Sequence, residues 1–570
     1  MTNRLTLAAV LAATTALPFP ASAHDTDRRT ELFKPGVEHA TTDLPAGDAA
    51  RLAEFAGYGN FGFDPGTDVA EARNAFEQGI ALLWGFNHAA AVQAFRAAQA
   101  ADPRCSACFW GEAYALGPNL NDGMHEDSID RAIEAARMAD ETASTKKERM
   151  LARALLQRYA PRDADRASLN AAFANAMADV AAEFPEDANV QVIRADALMN
   201  LQPWDYWDAD GVTPKGNGAA ILATLERAMA LDPAHPAALH LYIHAVEASS
   251  DPARAEAAAD ALRGSVPMAG HLVHMPAHIY NRIGRYRDSI EVNKAAIAAD
   301  EAYLAATGHG ASALYRYGYY PHNIHFLLVG AQMAGLKDEA LEAADKLVAV
   351  TSEEVSGQLA WVQAIETAPY TAHAQFSAPE EILGLTDPGD AFPFVKGHWH
   401  YARGTAFALL GDTDAALAEQ KAIERIIADA DLSGLEDQFL PARDVLEIAK
   451  HIVEARIAHA QGDLHQAEHH LESAIELEDT IAYMEPPYWY YPVRQTLGAV
   501  RLEAWDLHGA RKAFEAALRT HPNNAWALWG LWQVEKAEEV DQLDIPTVQN
   551  AERAFRDAWL GQGEPALNRL

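Results

Sequence analysis

The chain has 570 residues, 49% hydrophobic and 22% charged, a globular composition long enough for several domains or one extended array, so disorder is not its default state. Its formal charge of −36 repels phosphate backbones, which makes nucleic acid an unexpected partner and leaves cations compatible. Cys105 and Cys108 are its two cysteines, which excludes a disulfide-rich scaffold and a zinc site of four cysteines.

At the N-terminus, Arg4, an apolar run from Leu5 to Leu17 and the small residues Ala21-Ser22-Ala23 match a secretory signal, expected over residues 1–23. No later stretch sustains the roughly 18 apolar residues of a membrane span, and no lipidation cysteine follows. The mature chain is therefore expected to be exported, periplasmic or secreted, and soluble. Cleavage would leave His24 as the first residue, a polar terminus whose amine and imidazole can together chelate copper. Residues 24–70 read as an extended segment that contains the loop GYGNFGFDPG at 57–66, a packing element or a lip.

From 72 to 103, ARNAFEQGIALLWGFNHAAAVQAFRAAQAADP reads as two amphipathic helices, with Ala91, Phe95 and Ala98 at helical spacing and Asp102-Pro103 ending the pair. The CSAC that follows is expected to form a local disulfide, with redox chemistry or metal ligation as alternatives. Phe109 stands where a c-type haem motif would need histidine. Farther on, LQPWDYWDADG at 201–211 is a second loop suited to packing or to covering a surface.

The helical-pair pattern returns near the C-terminus in YPVRQTLGAVRLEAWDLHGARKAFEAALRTHPNN, with Gly498, Ala510, Phe514, Ala517 and Pro522 in corresponding places. These residues resemble the tetratricopeptide repeat, a 34-residue helix-turn-helix unit. Weaker copies are phased by the turns SDPARA, GRYRDS, GLKDEA, GDTDAA and GDLHQA, which place repeat starts near 236, 270, 321, 397 and 448, with another near 363. Between 270 and 321 an insertion occupies about Leu304 to Tyr320. The resemblance implies an all-α, right-handed α-solenoid over 71–545, followed by a C-terminal helix or tail at 546–570, with first helices lining a concave groove.

Nine of the 23 histidines lie between His235 and His325. In HLVHMPAHIY, His271, His274 and His278 share a helical stripe about 60° wide, and His240, His244 and Glu247 share another. One 34-residue step carries His240 onto His274 and His244 onto His278, and His271 and His274 map across the insertion onto His322 and His325. By resemblance these positions face the groove, as do Asp196, His398 and Tyr401.

Clustered neutral imidazoles need donors or a cation, so His240, His244, Glu247, His271, His274, His278, His322 and His325 are candidate ligands for zinc, copper or iron, in one or two sites. Met268 and Met275 beside them add some preference for copper. His465, His469 and His470, on a second helix, read as solvated surface.

The leading expectation is an exported binding protein that holds a peptide, protein or small ligand in a groove carrying this metal site. Two alternatives stand beside it. One is a metal-dependent hydrolase or oxidoreductase with Glu247 or Asp196 as ligand or general base. The other is a metal-free protein-interaction scaffold.

Overall fold

The computed structural model describes residue 57, residues 59–539 and residues 545–570, so the expected signal, His24 and the remainder of 24–56 lie outside the described residues. Among the described residues the chain is helical throughout, apart from an isolated bridge between Trp207 and Pro214. Helix packs on successive helix from Ala70–Trp84 to Ile545–Ala558, which makes the fold a tetratricopeptide-like α-solenoid. No helix among the described residues is long and apolar enough to cross a membrane.

The two strongest sequence repeats share one packing device. Phe95, fully buried on helix His88–Ala101, lies between Gly79 and Gly111 of the flanking helices, where an added Cβ would come within 2.7 and 2.3 Å of its ring. Phe514, on helix Leu507–Thr520, sits in the same way between Gly498 and Gly530, at 2.6 and 2.3 Å. A phenyl ring thus fills the space left by two absent side chains and locks three helices together.

Gly284, Gly335, Gly411 and Gly462 in the repeat turns have φ between +75° and +79°, a conformation that disfavours a side chain. Helices begin at Pro236 and Gly270, where the 34-residue period placed them, and at Tyr320 after the insertion. Later ones begin a few residues ahead of the phase, at Ala360, Pro393 and Ala442.

HLVHMPAHIY is not one unbroken helix. It forms Gly270–His274 and Pro276–Arg282, because Pro276 has no N–H to continue the ladder. Met275 keeps helical angles (φ −48°, ψ −38°), so the two pieces remain nearly in line. The insertion extends helix Tyr286–Thr307 and then forms a π-helical turn, Tyr315–Tyr319, that runs directly into Tyr320–Met333.

The C-terminal repeats lie back against the central ones. Trp526 donates its indole N–H to the Gln332 carbonyl at 2.7 Å, Leu560 N–H reaches the Ala334 carbonyl at 2.9 Å, and Asn523 reaches the Gly284 carbonyl at 3.2 Å. One loop of this returning portion, carrying Tyr483 and Glu485, arrives over the histidines. The inner surface at their level is therefore covered, and the expected open groove is a packed interior there.

Candidate metal centre

Helix Pro236–Val246 presents His240 and His244, and Gly270–His274 presents His271; these three offer ligand atoms within 4.8 Å of one another. His274, His278 and His322 form a second group of the same kind. The histidines of one motif divide between the groups, His271 joining the first and His274 and His278 the second, so the division falls within Gly270–His274 and not at the break before Pro276. His322 is partly buried, while the other five are buried to 5% exposure or less.

Glu247 sits between the groups. Its Oε1 accepts the Nδ1–H of His244 at 2.7 Å and its Oε2 accepts that of His278 at 2.5 Å. One carboxylate thus orients a ring in each group, as carboxylates behind metal-bound histidines do. Although burial alone would raise its pKa, the adjoining His278 and His244 hold the carboxyl well below its usual range. Behind His274, Asn293 Oδ1 accepts its Nδ1–H at 2.7 Å, and Asn293 is itself fixed by donating to the Ser289 carbonyl at 2.8 Å.

With Nδ1–H committed to oxygen, neutral His244, His274 and His278 must each present a bare Nε2 lone pair. The Nε2 atoms of His274 and His278 face each other at 2.9 Å, and those of His240 and His271 at 3.2 Å. His244 Nε2 is buried without a hydrogen-bond partner. Two facing lone pairs repel unless a proton or a metal cation lies between them. Donors bound to one tetrahedral ion at about 2.0–2.1 Å are themselves about 3.3 Å apart, so these separations suit a shared ion.

Burial, reinforced by neighbouring imidazoles, pushes His240, His271, His274 and His322 well below the ordinary histidine pKa. Burial also lowers His244, despite the adjacent carboxylate. His278 is the exception, because the charge of Glu247 outweighs burial and raises it.

Aromatic rings close the first group. Phe86, held at φ +56°, stacks on His244 with ring centroids 5.9 Å apart and 8° between planes, and it lies 4.7 Å from His240 and 5.1 Å from His271. Trp204, at φ +63°, meets His244 edge-on at 4.9 Å, so the tryptophan-rich loop reaches the site. Two non-glycine residues in left-handed conformation at one site are backbone strain retained by the surrounding packing. Tyr319 of the π-turn lies 5.0 Å from His271, and Phe326 lies 4.5 Å from His274.

On the other side Tyr483 donates to Glu485 at 2.7 Å and lies 3.2 Å from Glu247 Oε2. Its ring stacks under the Arg282 guanidinium at 4.8 Å, and Arg282 in turn donates to the Glu247 carbonyl. None of Phe86, Asn293, Phe326, Tyr483 or Glu485 carries a spacing signal in the sequence.

The other sequence candidates lie apart from the two groups. His325 is buried, neither ring nitrogen has a hydrogen-bond partner, its edge meets Tyr490 at 5.5 Å, and burial lowers it to about 3. Asp196 accepts from the Tyr114 hydroxyl and, at 3.0 Å, from Asn200; burial raises its pKa. His398 donates its Nδ1–H to the Phe394 carbonyl at 3.0 Å, and Tyr401 packs on Trp489. In the GYGNFGFDPG loop, Phe63 stacks on Trp110 with ring centroids 5.1 Å apart. Cys105 and Cys108 form the local disulfide. His470, expected on solvated surface, instead meets His451 and Glu454.

Fold and site together define a class: a tetratricopeptide-like helical solenoid with interior histidine groups spaced closely enough to chelate a metal. No protein-family model and no curated protein matches the chain. Among solved structures it is similar to the human IFIT1 dimer with PPP-AAAA, at 12% identity and a TM-score of 0.27 over 93% of this chain and 99% of that one. It is similar also to yeast Tom70, at 11% identity and 0.26 over 85% and 92% of the chains. A third likeness is to the APC/C hetero-tetramer Cut9–Hcn1, at 14% and 0.24 over 85% and 90%. These likenesses carry no assignment of activity.

Proposed function

We propose that the protein is a solenoid binding scaffold whose interior histidines take two transition-metal ions. His240, His244 and His271 would hold one, and His274, His278 and His322 the other, with Glu247 orienting a ligand of each. The single observation that carries this reading is the facing pair of Nε2 atoms on His274 and His278, 2.9 Å apart with both Nδ1–H groups already committed. Three imidazoles per ion suit zinc or copper. The signal-like leader and the local disulfide support an exported location for this activity.

A second reading, the metal-free interaction scaffold, has its own support. The Glu247 charge favours an imidazolium at His278, and a proton between His278 and His274 would satisfy the same pair. Metal analysis of the chain purified without an affinity tag separates the two. These two groups are expected to contribute two equivalents of metal in the wild type, and one each in His240→Ala and His274→Ala. A chain that arrives empty and binds neither zinc nor copper tightly would leave the proton-bridged scaffold as the function. An enzymatic use of the ions would require a substrate to reach an open coordination position, for which the partly exposed His322 marks the nearest approach.

A further inference from the structure

Away from the central interior, His451, Glu454 and His470 converge where helix Ala442–Ala460 packs on Leu464–Glu478. Glu454 Oε2 lies 3.0 Å from Nδ1 of His451 and 3.0 Å from Nδ1 of His470, and the two Nδ1 atoms are 3.4 Å apart. A cation bonded to all three at about 2.0–2.1 Å would see them at angles of about 90° to 110°, the range of tetrahedral and five-coordinate zinc. The donors thus already stand at the edge lengths of a coordination polyhedron.

The surrounding groups hold this arrangement. Gln420, from helix Thr413–Asp429, donates to Glu454 Oε1 at 2.9 Å and leaves Oε2 turned toward the two rings. Gln466 contacts His470 Nε2 at 3.2 Å, one helical turn away. Unlike the five buried central histidines, these side chains are 21–22% exposed, so water and ions reach them directly.

We propose that His451, Glu454 and His470 form a separate, solvent-reachable site for a divalent transition cation of the zinc or Cu(II) class. Two imidazoles and one carboxylate bind the ion, and at least one coordination position remains for water or for a donor atom brought by a partner. The competing arrangement is a carboxylate that accepts two imidazole N–H bonds and binds no ion. The donor types are those of an open three-ligand site, and an exposed position makes the ion exchangeable where the central pair would be locked in.

The test uses the full chain, stripped with chelator and titrated with Zn(II) by calorimetry and with Co(II) by visible absorption. Wild type is expected to take one more equivalent than His470→Ala and one more than Glu454→Gln. His469→Ala, which removes an exposed neighbouring ring outside the group, should keep it. Unchanged helical circular dichroism in each variant shows that the comparison concerns folded protein. Equal stoichiometry in wild type and both site variants overturns the proposal, as does an equivalent lost from His469→Ala as well, which marks diffuse surface adsorption. Because the readout is a difference between variants, it holds whether or not the central histidines carry metal, and His274→Ala should retain this equivalent.

Discussion

His278 and Glu247 are joined by a 2.5 Å hydrogen bond from Nδ1 to Oε2, while the other oxygen of the same carboxylate accepts from His244 at 2.7 Å. Removing the charge of Glu247 should therefore be felt in both groups. Glu247→Gln keeps the shape but cannot accept equally through both terminal atoms. It is expected to lower affinity for both ions by about 10- to 100-fold, the usual effect of losing such a partner. Competition against a chromogenic chelator measures this, and a loss at one ion alone would show that Glu247 does not couple the groups.

Tyr483 reaches Glu247 from a loop 236 residues away and is one of the covers over the interior. Tyr483→Phe removes one hydrogen bond, worth about 1 kcal/mol, and should change metal affinity little. Tyr483→Ala opens the cover. Its expected mark is faster extraction of metal by chelator with nearly the same equilibrium content, and an unaltered extraction rate would mean that ions leave by another route.

The ring of Phe95 occupies the space of two absent side chains, as does that of Phe514. Gly111→Ala and Gly530→Ala each place a Cβ 2.3 Å from a fixed ring and should cost about 1–3 kcal/mol. Thermal melts check both. Gly434→Ala, where a Cβ meets nothing within 4 Å, is the control and should leave the midpoint nearly unchanged.

His325 and His398 are buried outside both groups, and burial lowers them from the ordinary 6.5 to about 3 and about 4. Above pH 6.5 both are neutral in folded and unfolded chains and contribute no pH dependence. As pH falls below 6.5, the unfolded chain gains protons there that the native chain refuses, so stability falls by about 1.4 kcal/mol per pH unit for each ring. That loss continues to about pH 4 for His398 and about pH 3 for His325. Denaturant unfolding between pH 7 and 4.5 should show it, and His398→Gln should flatten the slope by about one proton. An unchanged slope would mean that His398 is protonated in the native protein.

Much of the architecture was legible because it is local. Phe95 and Phe514, with the glycine turns, report a helix pair within one 34-residue window, and His240 and His274 repeat across one such step. The allotment of the histidines was not legible. His322 and His325 are three residues apart on one helix, yet His322 joins His274 and His278 while His325 turns to Tyr490. Which neighbours each ring meets depends on how the helices pack against Tyr320–Met333, and no periodicity records that. His451 and Glu454 share a helical face that sequence displays, but their partner His470 belongs to the next helix, whose approach is a matter of packing.

Sequence by itself determined that this chain repeats, that its repeats are helical pairs, and that imidazoles recur at fixed places in successive pairs. These properties follow from the 3.6-residue turn of the helix and the 34-residue step between pairs. Tertiary structure alone decided that the imidazoles form two groups of three, that Glu247 stands behind both, and that Phe86, Trp204 and Tyr483 enclose them. Those relationships join residues up to 236 positions apart, so they arise from how the solenoid returns on itself and from strained aromatic residues that only a finished interior can hold in place.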